Sequence, residues 1–96
     1  MKESSFQRAL IKEIEDILPG CIVLKNDSTY KQGIPDLSIF YKNKWAMLEC
    51  KTDKKAAHQP NQDIYIGRAN EMSFARFIYP ENKQEVLDEL QQAFQS

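Results

Sequence analysis

The centre of the chain has the pattern of a β-hairpin, and this feature constrains the fold more than any other. Residues 37–41 and 45–51 are both rich in aliphatic and aromatic side chains, and the polar residues 42–44 separate them. Two such segments with a short polar turn between them are typical of adjacent antiparallel strands. The hairpin therefore also fixes which polar residues meet at its open end.

The segments on either side of the hairpin predict an α/β fold. Near the N-terminus, apolar side chains recur at steps of three and four until a Pro-Gly pair ends the pattern. Pro60 is expected at the first position of a middle helix, and Asn82, with Glu85 three residues later, is expected to cap a last one. The predicted helices cover residues 6–18, about 61–69 and 82–94, and the predicted strands cover 21–24, 37–41, 45–51 and 74–79. This order gives a four-stranded mixed sheet flanked by helices, with an extra C-terminal helix.

Length and composition predict a single domain over residues 1–96, inside a cell. Chains of this size fold around one core. No apolar run approaches the roughly 20 residues that cross a bilayer, and there is no signal segment, so we expect a cytoplasmic protein without a membrane partner. Cys21 and Cys50 are too few for a disulfide framework and are expected to be reduced, with one inter-strand bridge as the alternative.

Two carboxylates and a lysine are predicted to meet at the open end of the hairpin. Asp36 begins one strand, and Glu49 and Lys51 lie near the end of the next. Because side chains alternate along a strand, Glu49 and Lys51 project to one face and Cys50 to the other. The hairpin folds Asp36 back beside them.

Such a cluster is best explained by a bound divalent cation, because two adjacent carboxylates repel each other. Carboxylate and carbonyl oxygens suit Mg²⁺. We assign Asp36, Glu49 and the backbone carbonyl of Cys50 as metal ligands, and Lys51 as the group that stabilises charge on a phosphoryl group and orients or deprotonates the attacking water. The alternative is a turn residue at Asp36 and an exposed Glu49–Lys51 ion pair.

These residues resemble a known family of nucleases. The run Gly33-Ile34-Pro35-Asp36-Leu37, the hairpin, and then Glu49-Cys50-Lys51-Thr52 resemble the PD-(D/E)XK nuclease superfamily, and more narrowly its virus-type replication-repair nuclease (VRR-Nuc) family in a short, stand-alone, phage-like form. The resemblance implies a restriction-endonuclease-like αβββαβ core. It also implies a phage or bacterial endonuclease that hydrolyses DNA phosphodiester bonds with Mg²⁺, or Mn²⁺ as a substitute, and with no organic cofactor.

The same resemblance implies two further catalytic residues. Gln62 matches the family's glutamine on the helix that follows the lysine strand. Glu3 matches its acidic residue on the first helix, which contacts a metal-bound water or a second metal, and it is the further candidate metal ligand. Ser4 and Gln7 could instead form a capping box that leaves Glu3 outside the helix, and Glu13 is the alternative acid.

The charge distribution is compatible with a nucleic-acid partner. Residues 25–55 contain seven lysines and four acids, whereas residues 80–96 contain one lysine and four acids. A basic middle fits a DNA-facing side, although a solvated surface explains it equally. Tyr30 either stacks on an unpaired base or packs on the protein, Lys54 and Lys55 contact phosphate or only solvent, and His58 is expected to be a solvated loop residue. The candidate DNA-binding residues are Lys25, Tyr30, Lys31, Lys54 and Lys55.

The substrate expected from this size and this family is branched DNA, such as four-way junctions or flaps. A chain this short has no room for a base-reading domain, and stand-alone members of the family act as homodimers that resemble junction resolvases. The alternatives are a non-catalytic DNA-binding module that retains the nuclease fold, and a protein-interaction module that uses the acidic C-terminal helix.

Overall fold

A computed structural model describes residues 2–95 of the chain. Its elements, in chain order, are α1 (Glu3–Ile17), β1 (Ile22–Lys25), β2 (Leu37–Tyr41), β3 (Lys44–Cys50), α2 (Gln62–Met72), β4 (Phe74–Ile78) and α3 (Lys83–Gln95). This order is αβββαβ followed by a further helix, which confirms the predicted fold class. None of the helices in the described part is long and apolar enough to cross a membrane.

The sheet is mixed and has the strand order β1-β2-β3-β4. The β1–β2 and β2–β3 pairs are antiparallel, whereas β4 lies parallel to β3. A parallel neighbour requires a crossover, and α2 supplies it. In the hairpin, Tyr41 pairs with Lys44 beside the turn and Leu37 pairs with Leu48 at the open end. This register places Asp36 level with Glu49.

Helices cover the two faces of the sheet unequally. The main core lies on one face, where α1 contributes Phe6, Leu10 and Ile14, and α3 contributes Leu90 and other buried side chains. On the opposite face α2 covers β3 and β4 through a smaller cluster around Ile66, and Trp45, Met47 and Phe77 pack against it. The apolar periodicity of α1 and α3 thus faces a common core.

Several element boundaries differ from the prediction. The hairpin turn contains two residues, because Lys44 belongs to β3 and Lys42 adopts a left-handed φ of 57°. Pro60 is not the first helical residue: Asn61 follows it with a φ of 73°, so α2 can begin only at Gln62. β1 begins one residue later than predicted and includes Lys25, which is therefore not a loop residue.

Asn82 directly precedes α3, as predicted, but its side chain does not cap that helix, and the alternative Ser4–Gln7 box at α1 does not form either. The Asn82 side chain turns towards β4, where it accepts a hydrogen bond from the Tyr79 N–H at 2.8 Å and donates one to the Phe77 carbonyl at 3.1 Å. At the N-terminus, Lys2 is the N-cap and its side chain makes no capping hydrogen bond. Glu3 therefore lies inside the first turn of α1, and the Ser4–Gln7 box does not exclude it. Cys21 and Cys50 are both free, as predicted.

Candidate metal centre

The position of Asp36 is fixed by a polar network at the end of β1. The Asn26 N–H donates to the Asp36 carbonyl at 2.7 Å, and its side-chain amide donates to the Pro35 carbonyl and to the Ser38 hydroxyl, both at 2.9 Å. The Asp36 side chain in turn accepts the N–H of Cys50 through Oδ2 at 2.9 Å. Asn26 was not among the predicted site residues; an amide directly after a strand and before the Pro-Asp pair was the available signal.

Three carboxylates meet where the first helix approaches the open end of the hairpin. Carboxylate oxygens of Glu3, Asp36 and Glu49 all lie within 4.8 Å of one another, a spacing that a metal ion could bridge. Glu3 comes from the first turn of α1, whereas Asp36 and Glu49 come from the hairpin. The alternative acid, Glu13, is not part of this cluster, because its Oε1 accepts a hydrogen bond from Lys83 Nζ at 2.9 Å.

Glu49 is the most deeply buried acid of the three, with 3 % of its surface exposed. Its Oε2 accepts a hydrogen bond from Gln62 Nε2 at 3.0 Å and lies 3.8 Å from Lys51 Nζ. Its Oε1 is buried without a hydrogen-bond partner among the described residues. Burial, followed by repulsion from Asp36, raises the pKa of Glu49 to about 8. Burial likewise raises the pKa of Glu3. A cation would relieve both effects.

Lys51 and Gln62 form a fixed pair on the floor of the centre. Lys51 Nζ donates to Gln62 Oε1 at 2.7 Å and to the Ala57 carbonyl at 3.0 Å. The same Gln62 oxygen accepts the N–H of Gln59 at 2.8 Å. Both side chains are buried. Gln62 is the first residue of α2, and it links Lys51 to Glu49 because its oxygen accepts from the lysine and its amide donates to the carboxylate.

The backbone of Cys50 also faces the carboxylates. Its N–H points towards Asp36, and a strand residue directs its N–H and C=O to the same side. The hairpin register pairs Leu37 with Leu48, and two residues further towards the open end it places Pro35 opposite Cys50. Proline has no N–H to donate. The Cys50 carbonyl is therefore left without its usual strand partner. The thiol lies on the opposite, core-facing side, where burial raises its pKa.

The cluster opens into a cleft of about 470 Å³. One wall is formed by residues 28 and 32–34 and the other by residues 52, 56, 57 and 59, with Lys51 and the three carboxylates at the base. Gly33 brings the walls together. It has a φ of +89°, and a Cβ atom there would lie 2.6 Å from Asn61 Cβ and 2.8 Å from the Pro60 carbonyl oxygen.

None of the five predicted DNA-binding residues lines this cleft. All five are exposed, and Tyr30 is 83 % exposed, which excludes packing on the protein. Lys31 Nζ lies 5.9 Å from the centroid of the Tyr65 ring. Among residues 2–95, Lys54 and Lys55 form hydrogen bonds through their backbone N–H groups alone, to the side chains of Glu81 and Asp53 respectively.

His58 is an exposed loop residue, as predicted, but its ring also makes two contacts that the sequence did not indicate. Its Nδ1 lies 2.8 Å from Asp63 Oδ1, and its ring stacks on Phe77 with centroids 4.0 Å apart. The side chain keeps 37 % of its surface exposed. The neighbours of His58 in the chain, Ala57 and Gln59, hydrogen-bond to Lys51 and Gln62 respectively. The two contacts of the His58 ring therefore also hold the segment 57–59 beside that pair.

No protein-family model matches the chain, and comparisons with curated proteins and with solved structures gave no match. The centre is therefore interpreted from its geometry. It combines three converging carboxylates, a backbone carbonyl without a strand partner and a buried lysine beside an open cleft. Such a centre can hold a divalent cation and present it, with a positive charge next to it, to an anionic substrate.

Proposed function

We propose that this chain is a Mg²⁺-dependent DNA endonuclease of the PD-(D/E)XK type, similar to the VRR-Nuc family. The observation that supports it most is the buried Glu49 Oε1 atom, which lacks a hydrogen-bond partner among the described residues and lies within a group of three carboxylates. An unpaired buried carboxylate oxygen is costly. A structural ion pair with Lys51 would satisfy only the other oxygen, so a cation accounts for the arrangement better.

The donor set fits Mg²⁺. Asp36, Glu49 and the Cys50 carbonyl would hold the ion, and Glu3, on the more exposed side, would bind it directly or through a water. All four are oxygen donors, and few protein ligands leave room for waters and for a substrate phosphate. Mn²⁺ would substitute. When bound, the ion supplies neutralisation of phosphate charge and a lowered pKa for a bound water.

The residues of the chain position the phosphodiester and its attacking water. The Lys51 ammonium is fixed by Gln62 and the Ala57 carbonyl, which leaves it beside Glu49 at the base of the cleft. There it stabilises the negative charge that develops on the phosphoryl group and orients the water. Gln62 acts on both charged groups at once, since its oxygen accepts from Lys51 and its amide donates to Glu49. By analogy with the family, hydrolysis leaves a 5′-phosphate.

The proposed substrate is branched DNA, and the proposed active form is a homodimer. A two-fold axis would present two such centres to the two matched strands of a four-way junction. The rival is a non-catalytic DNA-binding module. The complete set of Asp36, Glu49 and Lys51 argues against it, because loss of any one of them would disable the mechanism described above.

A cleavage assay tests the proposal. A fluorescent four-way junction, a flap and matched linear duplexes are incubated with Mg²⁺ or Mn²⁺ and either the parent chain, Lys51→Ala or Lys12→Ala. Lys12 is exposed on α1 and lies outside the cleft, so its variant controls for the lost charge. We expect the parent and Lys12→Ala to cut the junction, and Lys51→Ala to lose activity by at least 100-fold. A junction gel shift without cutting by any of them would favour the binding module.

A further inference from the structure

A second hollow of about 260 Å³ lies directly beside the cleft of the metal centre. The two share Ile34, so the segment 31–34 forms the wall between them. Gln32 and Gly33 face the cleft, whereas Lys31 faces the second hollow. The wall is a tight turn, closed by a hydrogen bond from the Ile34 N–H to the Lys31 carbonyl at 3.3 Å. A ligand that extends from the cleft past Ile34 would therefore enter this hollow.

The second hollow has an apolar floor and a cationic rim. Trp45 and Met47 from β3 and Ala69 from α2 form part of the floor. Tyr65 and the exposed Arg68 line the hollow from α2, and Lys31 Nζ lies over the Tyr65 ring, 5.9 Å from its centroid. Among residues 2–95, neither Lys31 nor Arg68 is paired with a carboxylate. Two cations without a carboxylate partner beside two aromatic rings suit a flat apolar ligand that carries negative charge.

We propose that this hollow binds one unpaired nucleobase of the DNA strand, next to the phosphate at the metal centre. The base would stack on the aromatic side chains, and Lys31 and Arg68 would contact the flanking phosphates. The volume, below that of most drug-sized sites, suits a single ring system. The inference rests on the proposed nuclease function and narrows its substrate to DNA with unpaired bases near the cut.

The lining of this hollow predicts that it would accept any of the four bases. Its floor carries no carboxylate or amide side chain that could read the edge of a base. Every base has an apolar face, so stacking selects for an unpaired base and not for its identity. A base within an intact duplex is already stacked and paired, and extracting it costs free energy. DNA with unpaired bases, such as a flap or a frayed end, would therefore bind better than a linear duplex, and a four-way junction would do so only where base pairs at its branch point open.

Trp45 is the only tryptophan of the chain, so its fluorescence reports on this hollow directly. The parent protein in EDTA is titrated with a short oligothymidylate and, separately, with a strand of equal length and charge that lacks bases. We expect the oligothymidylate to quench Trp45 and to bind about 5- to 150-fold more tightly than the abasic strand, which corresponds to the roughly 1–3 kcal/mol typical of one stacked base. EDTA removes any contribution from metal or cleavage.

Variants on α2 separate the roles of the rim. Tyr65→Ala should remove most of the preference for the strand with bases, while Tyr65→Phe should retain it. Arg68→Ala should weaken both strands alike, because it removes a phosphate contact. Arg8→Ala, an exposed arginine on α1 outside the hollow, should change neither titration.

Two results would overturn the proposal that the hollow binds a base. The first is an equal Trp45 response to both strands. The second is a Trp45 signal that changes with protein concentration before DNA is added, which would assign the hollow to a second copy of the chain. Failure of the nuclease proposal looks different. A base-dependent Trp45 signal in a protein that never cuts DNA would keep the pocket and remove the catalytic role, whereas cutting without that signal would remove the pocket alone.

Discussion

Gln62 joins the two charged groups at the base of the cleft, and its replacement tests how much of the centre depends on that link. Gln62→Ala removes the acceptor that holds Lys51 and the donor that holds Glu49. We expect cleavage to fall by about 10- to 100-fold, as for other residues that orient metal ligands. Gln84→Ala is the matched control, since Gln84 is an exposed glutamine on α3 whose side chain hydrogen-bonds only to Asp88 among the described residues. Equal activity of the two variants would contradict the role given to Gln62.

The residues of the centre differ in how far the sequence predicts them. Asp36, Glu49 and Lys51 follow from the alternation of side chains along a hairpin, which local pattern determines. The prediction of Gln62 and Glu3 depended instead on the resemblance to a family, because no local sequence pattern shows that a helix N-terminus lies beside the end of a strand. The left-handed Asn61 and the inward turn of Asn82 were not predicted, since their partners come from tertiary packing.

At the scale of elements, the two loops that form the walls of the cleft touch at Gly33. A methyl group there would meet Asn61 Cβ and the Pro60 carbonyl, and the φ of +89° disfavours any side chain. Gly33→Ala should therefore lose roughly 2 kcal/mol or more of unfolding free energy, and cleavage should fall because the walls separate. Urea unfolding and the junction assay measure the two effects.

Gly20→Ala is an internal control for this prediction. Gly20 has the same φ of +89°, but a Cβ atom there would meet nothing within 4 Å. Its variant should lose only the cost of backbone strain, roughly 1–2 kcal/mol, and should cut DNA normally. Equal losses of stability and of activity in both variants would show that Gly33 does not hold the walls together.

The order of elements could be predicted from the sequence, whereas the shape of the site could not. Apolar periodicity and the hairpin pattern predicted all seven elements, and the structure shifts their ends by a few residues. The cleft and the second hollow depend instead on how segments far apart in the chain meet, as Ile34 does with β3 and α2. Charge counting likewise located a basic part of the chain, but it could not show which of its residues line the cleft. In the structure, none of the five predicted DNA-binding residues does.

For the whole molecule, the buried Glu49 couples stability to pH and to metal. Its pKa is raised to about 8 in the folded protein, so the folded state retains a proton that the unfolded chain has already released. Without metal, the contribution of Glu49 to the free energy of unfolding should therefore be largest at low pH and should be lost as the pH rises from about 4.5 to 8. Other groups add their own dependence, so the comparison is made against Glu49→Gln.

Metal should reverse this trend, because it binds the deprotonated carboxylate. The increase in Tm on addition of Mg²⁺ is expected to be small at pH 6 and to grow towards pH 8.5, and Glu49→Gln should abolish it at every pH. Thermal unfolding with and without Mg²⁺ across this range gives the measurement. An increase that is independent of pH, or that survives in Glu49→Gln, would place the metal elsewhere on the molecule.

The most direct test of the central claim is Mn²⁺ binding followed by electron paramagnetic resonance, with junction cleavage measured on the same samples. The parent and Glu13→Gln, an acid of α1 outside the carboxylate cluster, should bind Mn²⁺ and cut DNA. Asp36→Asn and Glu49→Gln should lose both properties together. Mn²⁺ binding and cleavage that persist in Asp36→Asn and Glu49→Gln would contradict the account, because the metal and the reaction would then not depend on this centre.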